Sequence, residues 1–188
     1  SNAVAELAFG MMVYSARGGF DGKSGSELMG KTLGIHAFGN VGRCMARIAA
    51  GFGMQVCAFD PFVDSKVIAD AGVTPVDTVE ELYTKSQYIS LHIPANDKTK
   101  GSIGERLLSL MPKGAVLVNT ARKEVINEAE LVALMEKRGD LKYLSDIAPD
   151  NAELWGQKFP GRYFFTPKKM GAQTEEANIN AGVAAARQ

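Results

Sequence analysis

The chain has 188 residues, of which 46% are hydrophobic and 22% are charged, and its formal net charge is zero. This composition is typical of one globular domain with a sizeable core. A balanced charge disfavours a nucleic acid or an anionic membrane surface as partner. No apolar run is long enough to span a bilayer, and no signal-peptide pattern is present. We therefore expect no nucleic-acid partner, no membrane partner and a cytoplasmic location.

The few cysteines and histidines disfavour metal and redox chemistry. Cys44 and Cys57 have no metal-binding or redox spacing, and only two histidines occur, His36 and His92. We therefore expect a reduced chain with no metal site. Residues 1–3 carry no weight, because a Ser-Asn-Ala start is also left by expression vectors.

The predicted elements begin with a helix at 4–17 that is apolar nearly all round, followed by a Gly- and Ser-rich loop at 18–30. Strands are then predicted at 31–38, 55–60, 88–94, 115–121, 141–147 and 162–167. Helices are predicted at 40–53, 65–72, 104–112, 127–138 and 174–188, and another is expected to start near Thr78 behind an Asp77-x-x-Glu80 capping box.

Strands that alternate with helices predict right-handed βαβ units and a parallel sheet. The strands are apolar rather than alternating, which is typical of a sheet covered on both faces. The sequence therefore predicts an α/β fold, a Rossmann-type doubly wound parallel sheet with helices on both faces. We expect one domain over 1–188, with a core at 31–170, a linking or interface helix at 4–17 and a closing helix at 174–188.

The first strand runs into the turn "AFGNVG" at 37–42 and then directly into a helix. This is close to the dinucleotide fingerprint, with Ala37 in place of the first glycine. Gly39 lets a pyrophosphate approach the backbone, and Gly42 lets the helix pack closely on the strand. Asp60 ends the next strand, where a carboxylate accepts from the adenosine ribose and repels a 2′-phosphate, so the pattern favours NAD. The alternative to a cofactor site is that Gly39 and Gly42 only form a tight turn and that Asp60 caps the next segment.

Six blocks occur in a family-specific order: "GKTLGIHAFGNVGR", "FDPF", "ISLHIPAND", "LVNTAR", "LSDIAP" and "FTPKKMGAQTEEAN". In these blocks the chain resembles the D-isomer-specific 2-hydroxyacid dehydrogenases, and most closely the branch that acts on 3-phospho-D-glycerate. The resemblance implies a two-domain, homodimeric NAD-dependent oxidoreductase of serine biosynthesis. The chain matches only the nucleotide domain, so we expect it to bind cofactor and to need an absent substrate domain for turnover.

The resemblance also implies site residues. The backbone at Asn40 and Val41 would meet the pyrophosphate, and Asp146 would approach the nicotinamide carboxamide. Arg122, in "NTAR", would grip the substrate carboxylate; its alternative is a surface ion pair. The full set of implied cofactor contacts is Gly39, Asn40, Val41, Asp60, Pro94, Thr120, Ala121, Arg122, Asp146, Lys168 and Gly171.

The chain departs from the family at the proton carrier. Lys168 stands where the family has a histidine, and Asn151 falls where it has the orienting glutamate, so Asp150 or Glu153 is expected to supply the carboxylate from a shifted register. A free lysine has a pKa of about 10.4, and burial beside Arg122 would lower it.

Other roles remain open for these groups. Lys168 is alternatively a purely electrostatic group or part of a solvated pair with Lys169, which is itself a candidate for binding substrate phosphate or carboxylate. His36 and His92 are expected to be structural.

Two further alternatives concern the whole protein. The substrate is alternatively another small D-2-hydroxy acid such as lactate or glycerate, or the protein is a non-catalytic NAD-responsive regulator. The helix at 4–17 suits a dimer interface or burial under the missing domain.

Overall fold

The computed structural model describes residues 1–187 and contains a seven-stranded sheet in which every neighbouring pair is parallel. The strands are β1 Thr32–His36, β2 Gln55–Phe59, β3 Thr74–Pro75, β4 Tyr88–Leu91, β5 Val116–Asn119, β6 Lys142–Ser145 and β7 Tyr163–Phe165. Their order across the sheet is β3-β2-β1-β4-β5-β6-β7. The doubly wound prediction is confirmed.

Eight α-helices accompany the sheet in the described residues. They are α1 Asn2–Ala16, α2 Asn40–Gly51, α3 Ser65–Asp70, α4 Val79–Lys85, α5 Glu105–Leu108, α6 Glu128–Lys137, α7 Ala152–Lys158 and α8 Glu175–Ala186. Two separate apolar clusters form the core, one containing residues of α1, α2 and α3 and the other residues of α4, α5, α6 and α7. The helices therefore cover both faces, as the apolar strands predict.

The strand order reverses between β1 and β4. From β1 the chain winds outward to β2 and β3, and from β4 it winds the other way to β7. In such sheets a crevice opens at the carboxyl ends of the strands on either side of the reversal, and ligands bind there. The loops after β1, β2, β4, β5, β6 and β7 all start at this edge because the strands are parallel.

Helix α1 belongs to the core of this domain. Its Ala5, Ala8, Phe9, Met11 and Met12 are buried, and the ring of Phe9 stacks on Phe52 at 5.1 Å between centroids. Part of the apolar surface of α1 thus packs on α2 and the sheet, and its role as a linking or interface helix stays a prediction.

Three local predictions differ from the structure. The capping box lies one residue later than predicted, because Thr78 Oγ1 accepts from Glu81 N at 3.1 Å while Glu81 Oε2 accepts from Asp77 N at 3.3 Å. The two-residue edge strand β3 and the helix α7 were not predicted.

Other helix features agree with the sequence. Asn127 caps α6 as predicted, because its side chain accepts from Glu130 N at 3.1 Å. Helix α8 forms as predicted but buries none of its residues, and position 188 lies outside the described residues. None of the helices in residues 1–187 has the length and apolar character that crossing a bilayer requires.

Ala37 holds a left-handed backbone conformation, with φ at +82°. It stands where the dinucleotide fingerprint has its first glycine, and its amide donates to Phe59 O at 2.9 Å. An L-residue with a Cβ is strained in this region, whereas glycine is not. The turn geometry is therefore that of the fingerprint, although the residue is not.

We predict that Ala37→Gly stabilises the chain by about 1 kcal/mol, because it removes the strain of a positive φ. The measurement is the free energy of unfolding in urea. Ala50→Gly, an exposed helical site in α2, is the control and should destabilise by about 0.5–1 kcal/mol. Loss of stability in both variants would contradict the prediction.

Candidate functional site

The amino end of α2 presents an open, uncapped helix terminus at the crevice. Gly39 is its N-cap residue and no side chain caps it, so the first-turn amides lack a side-chain acceptor. A Cβ built on Gly39 would meet nothing within 4 Å, whereas one on Gly42 would lie 2.6 Å from Ala37 O. Gly42 thus permits the close packing and Gly39 leaves room above the turn. This arrangement suits a pyrophosphate over Asn40 and Val41.

Asp60 is fixed beside this turn. Its Oδ2 accepts from Phe38 N at 2.8 Å and its Oδ1 accepts from Phe62 N at 2.9 Å. Each carboxylate oxygen has a second lone pair, so Asp60 can still accept from ribose hydroxyls. The carboxylate therefore ties the first two strand ends together, and its role in holding the ribose stays a prediction.

A third group lies at the ends of β5 and β6. Asp146 is fully buried, and its Oδ2 accepts from Gly171 N at 3.0 Å. Lys169 Nζ donates to Asp146 Oδ1 at 3.1 Å and to the backbone oxygen of Ala121 at 2.9 Å. The structure thus brings the predicted residues of both strand ends together around a lysine.

Thr120 completes this group. It is only 6% exposed, and its Oγ1 is the one buried side-chain polar atom in the described residues without a hydrogen-bond partner. A buried hydroxyl left unpaired costs about 1–3 kcal/mol, so such atoms mark places where a ligand completes the bonding.

Arg122 and Lys168 are exposed next to this group. Within residues 1–187 neither side chain forms an ion pair or a hydrogen bond, so the surface ion pair considered for Arg122 does not form in this part of the chain. The burial expected around Lys168 is not supplied by these residues.

The candidate supporting carboxylates lie elsewhere. Asp150 pairs with Lys123 at 2.7 Å, and Asn151 Oδ1 accepts from Trp155 Nε1 at 3.2 Å. Glu153 is exposed in the first turn of α7 and makes no ion pair with either lysine of the 168–169 pair in the described residues. The carboxylate that does meet this pair is Asp146, a contact that sequence reasoning missed because it joins two loops far apart in the chain.

The two histidines lie at the crevice edge in neutral form. His36 Nδ1 shares a hydrogen bond with the Tyr83 hydroxyl at 2.9 Å, and burial lowers the pKa of His36 to about 4. His92, just after β4, shares one with Ser90 Oγ at 2.8 Å, and burial lowers its pKa to about 3. Pro94 follows on the exposed loop, where its carbonyl oxygen accepts from Thr99 Oγ1 at 2.6 Å.

Residues 10–157 match the family described as D-isomer specific 2-hydroxyacid dehydrogenase, NAD binding domain. The chain belongs to this family. The cofactor is NAD, and the open Gly39 turn, the fixed Asp60 and the unpaired Thr120 hydroxyl fit it. In residues 1–187 no three His, Cys, Asp or Glu side chains gather as a metal ion would require.

Similar proteins carry several names within the family. D-3-phosphoglycerate dehydrogenase of Methanocaldococcus jannaschii is 35% identical in an alignment 207 positions long, which covers all of this chain and 38% of that protein. Hydroxypyruvate reductase of Thermotoga maritima is 39% identical over 96% of this chain and 63% of its own. The NAD+-bound crystal structure of 3-phosphoglycerate dehydrogenase in Entamoeba histolytica is 46% identical, with a TM-score of 0.92 over all of this chain and 59% of its own. The chain therefore spans less than two thirds of these relatives.

We predict that Gly39→Asp weakens NADH binding by at least about tenfold without loss of stability. Aspartate is a favoured N-cap residue, but its charge would lie against the pyrophosphate. Binding is measured by NADH fluorescence and stability by thermal unfolding. Gly39→Asn, an uncharged cap of similar size, is the control and should weaken binding less. Equal losses in both variants would mean that charge is not the cause.

We predict that Gly171→Ala destabilises the chain by about 1–3 kcal/mol, because the added methyl would lie 2.8 Å from Asp146 Oδ2. Urea unfolding measures the effect. The control is Gly182→Ala in the exposed α8, where a Cβ meets nothing within 4 Å and stability should rise slightly. Unchanged stability of the Gly171→Ala variant would contradict the prediction, because it would mean that the backbone around Gly171 moves to accommodate the methyl group at little cost.

Proposed function

We propose that this chain is the cofactor-binding part of an NAD-dependent dehydrogenase that oxidises 3-phospho-D-glycerate to 3-phosphohydroxypyruvate. The names of the similar proteins from Methanocaldococcus jannaschii and Entamoeba histolytica support this substrate. The substrate domain lies outside this chain in our proposal, which agrees with the 38% and 59% of those relatives that the chain spans. The reaction is an entry to serine biosynthesis and would run in the cytoplasm.

The observation that carries the proposal is the position of two basic side chains, Arg122 and Lys168, beside the buried Asp146 group. Arg122 directly follows Ala121, and Lys168 directly precedes Lys169. The carbonyl oxygen of Ala121 and the ammonium of Lys169 are hydrogen-bonded to each other within that group. Both side chains are exposed toward solvent and lack partners in residues 1–187. Oxidation of a 2-hydroxy acid needs a cation to hold the carboxylate and a neutral base to take the hydroxyl proton.

The roles follow from the chemistry of the two side chains. The planar guanidinium of Arg122 grips the substrate carboxylate with two parallel hydrogen bonds. Lys168, in its uncharged amine form, takes the hydroxyl proton, because its nitrogen makes no other bond in residues 1–187 while that of Lys169 is bonded to acceptors. Bound NAD supplies the hydride acceptor. In the reverse direction the Lys168 ammonium polarises the keto oxygen and returns the proton.

Helix α8 presents a surface for the rest of the enzyme. It buries none of its residues, and Ile179 and Val183 are 65% and 45% exposed. We propose that this helix packs against the substrate domain or against the second subunit of a homodimer. Apolar side chains on an exposed helix are typical of such contacts.

A regulator that binds NAD without catalysis is the second candidate. Its specific support is that Asn151 and not a glutamate stands before α7, and that no carboxylate pairs with Lys168 in residues 1–187. The candidates differ in turnover. We would measure NADH consumption by the full-length protein with 3-phosphohydroxypyruvate, hydroxypyruvate and pyruvate. A regulator would consume NADH with none of these substrates, whereas the dehydrogenase would consume it with at least one.

We predict that Lys168→Ala in the full-length enzyme lowers kcat for 3-phosphohydroxypyruvate reduction by about 10²–10⁴-fold, because the proton donor is lost. NADH affinity should change little, and the pH profile of kcat should lose one limb. Lys113→Ala, an exposed lysine before β5 at the opposite edge of the sheet, is the control and should keep full activity. An unchanged kcat and pH profile for Lys168→Ala would exclude Lys168 as the proton carrier.

A further inference from the structure

The Lys169 ammonium sits in a cluster of oxygen acceptors, formed by the backbone oxygens of Thr120 and Ala121 and the carboxylate of Asp146. Its Nζ lies 3.2 Å and 2.9 Å from the two backbone oxygens and 3.1 Å and 3.3 Å from the two carboxylate oxygens. An ammonium has three N–H donors, so four acceptors saturate it. We call these atoms the acceptor cluster.

The two partners in this ion pair differ in exposure. Asp146 is completely buried, whereas 37% of the Lys169 side chain is exposed. Lysine therefore reaches inward from the rim of the crevice to a carboxylate that cannot move. A flexible side chain at the rim can withdraw to solvent at small cost in strain, but a buried carboxylate needs another donor when it does.

The acceptor cluster lies beside the unpaired Thr120 hydroxyl. The hydroxyl group belongs to the same residue as one of the backbone acceptors, and it has no hydrogen-bond partner in the described residues. The acceptors of this cluster, next to a free hydroxyl donor, complement a primary amide, which offers two N–H donors and one oxygen acceptor. The cofactor of this family carries a primary amide on its nicotinamide ring.

We propose that Lys169 is an internal occupant of the amide-binding position, and that the nicotinamide carboxamide displaces its ammonium from the acceptor cluster when it binds. The carboxamide N–H groups then donate to Asp146 and the backbone oxygens, and the Thr120 hydroxyl donates to the carboxamide oxygen. Lys169 therefore sets the affinity for the nicotinamide half of the cofactor and not for its adenosine half.

The proposal rests on the NAD-binding role of the chain and not on the substrate or the proton carrier proposed above. Without cofactor the lysine satisfies the buried carboxylate, so the empty site stays stable. The apparent affinity for the cofactor equals the intrinsic affinity multiplied by the fraction of molecules in which the lysine has left the cluster. Removal of the ammonium should raise this affinity.

The test compares three ligands on the 188-residue chain by fluorescence and calorimetric titration: NADH, the reduced 3-acetylpyridine analogue and ADP-ribose. The analogue has a methyl ketone in place of the amide, so it has no N–H group that can donate hydrogen bonds to the acceptor cluster. ADP-ribose lacks the ring altogether. In Lys169→Met we expect NADH to bind about tenfold more tightly. The affinities for the analogue and for ADP-ribose should change by less than about twofold, since neither presents an amide donor.

Lys98→Met is the matched control, because it removes the same charge from the exposed loop after β4 and leaves the acceptor cluster paired. It should keep the ratio of NADH to analogue affinity of the unsubstituted chain. Lys169→Ala provides a second variant if Lys169→Met does not fold, since its short side chain leaves room for water to donate to Asp146; the ratio should rise in it as well.

An unchanged or lowered ratio in the folded Lys169 variant overturns the proposal, and so does an equal rise in Lys98→Met. A different failure is distinguishable from these. If the unsubstituted chain binds neither NADH nor ADP-ribose, the NAD-binding role itself is contradicted.

Discussion

The site depends on one constraint, which is that all strands of the sheet run in the same direction. Each strand must then be followed by a crossover, and the start of each crossover falls at the same edge. Gly39, Asp60, Arg122, Asp146 and Lys168 are far apart in the sequence, yet each follows a strand directly or within a few residues. The reversal of strand order between β1 and β4 opens the crevice in which their loops meet.

Two kinds of charge compensation operate along that edge. At α2 the helix terminus is left uncapped and the space over Gly39 is open, so an anionic ligand completes the bonding from outside. At β6 the buried Asp146 is compensated from inside by Lys169 and by Gly171 N. The α2 terminus thus keeps open backbone donors for a ligand. The Asp146 carboxylate is instead paired within the protein, because a buried carboxylate without a cation or donor would be destabilising.

Most of the fold was predictable from local patterns. Apolar runs and Gly or Pro boundaries located the six long strands, and Asn127 marked the start of α6. The errors have physical causes. Thr78 rather than Asp77 caps α4. Both residue types are good caps, so the choice depends on which of them has the extended backbone conformation before the helix, and that residue is Thr78. Helix α7 is short and is stabilised by Trp155, which contacts the rings of Phe159 and Phe165, so its formation depends on tertiary packing.

The sequence by itself determined the fold class, the turn at 37–42, the acidic end of β2 and the family, because these follow from spacing within short segments. Only the tertiary structure decided which lysine of the 168–169 pair meets Asp146, and that Asp150 turns to Lys123. Those contacts join different loops, and their geometry depends on how the β5, β6 and β7 ends are aligned. The left-handed Ala37 shows the same division, since the turn imposes a conformation that its residue type does not favour.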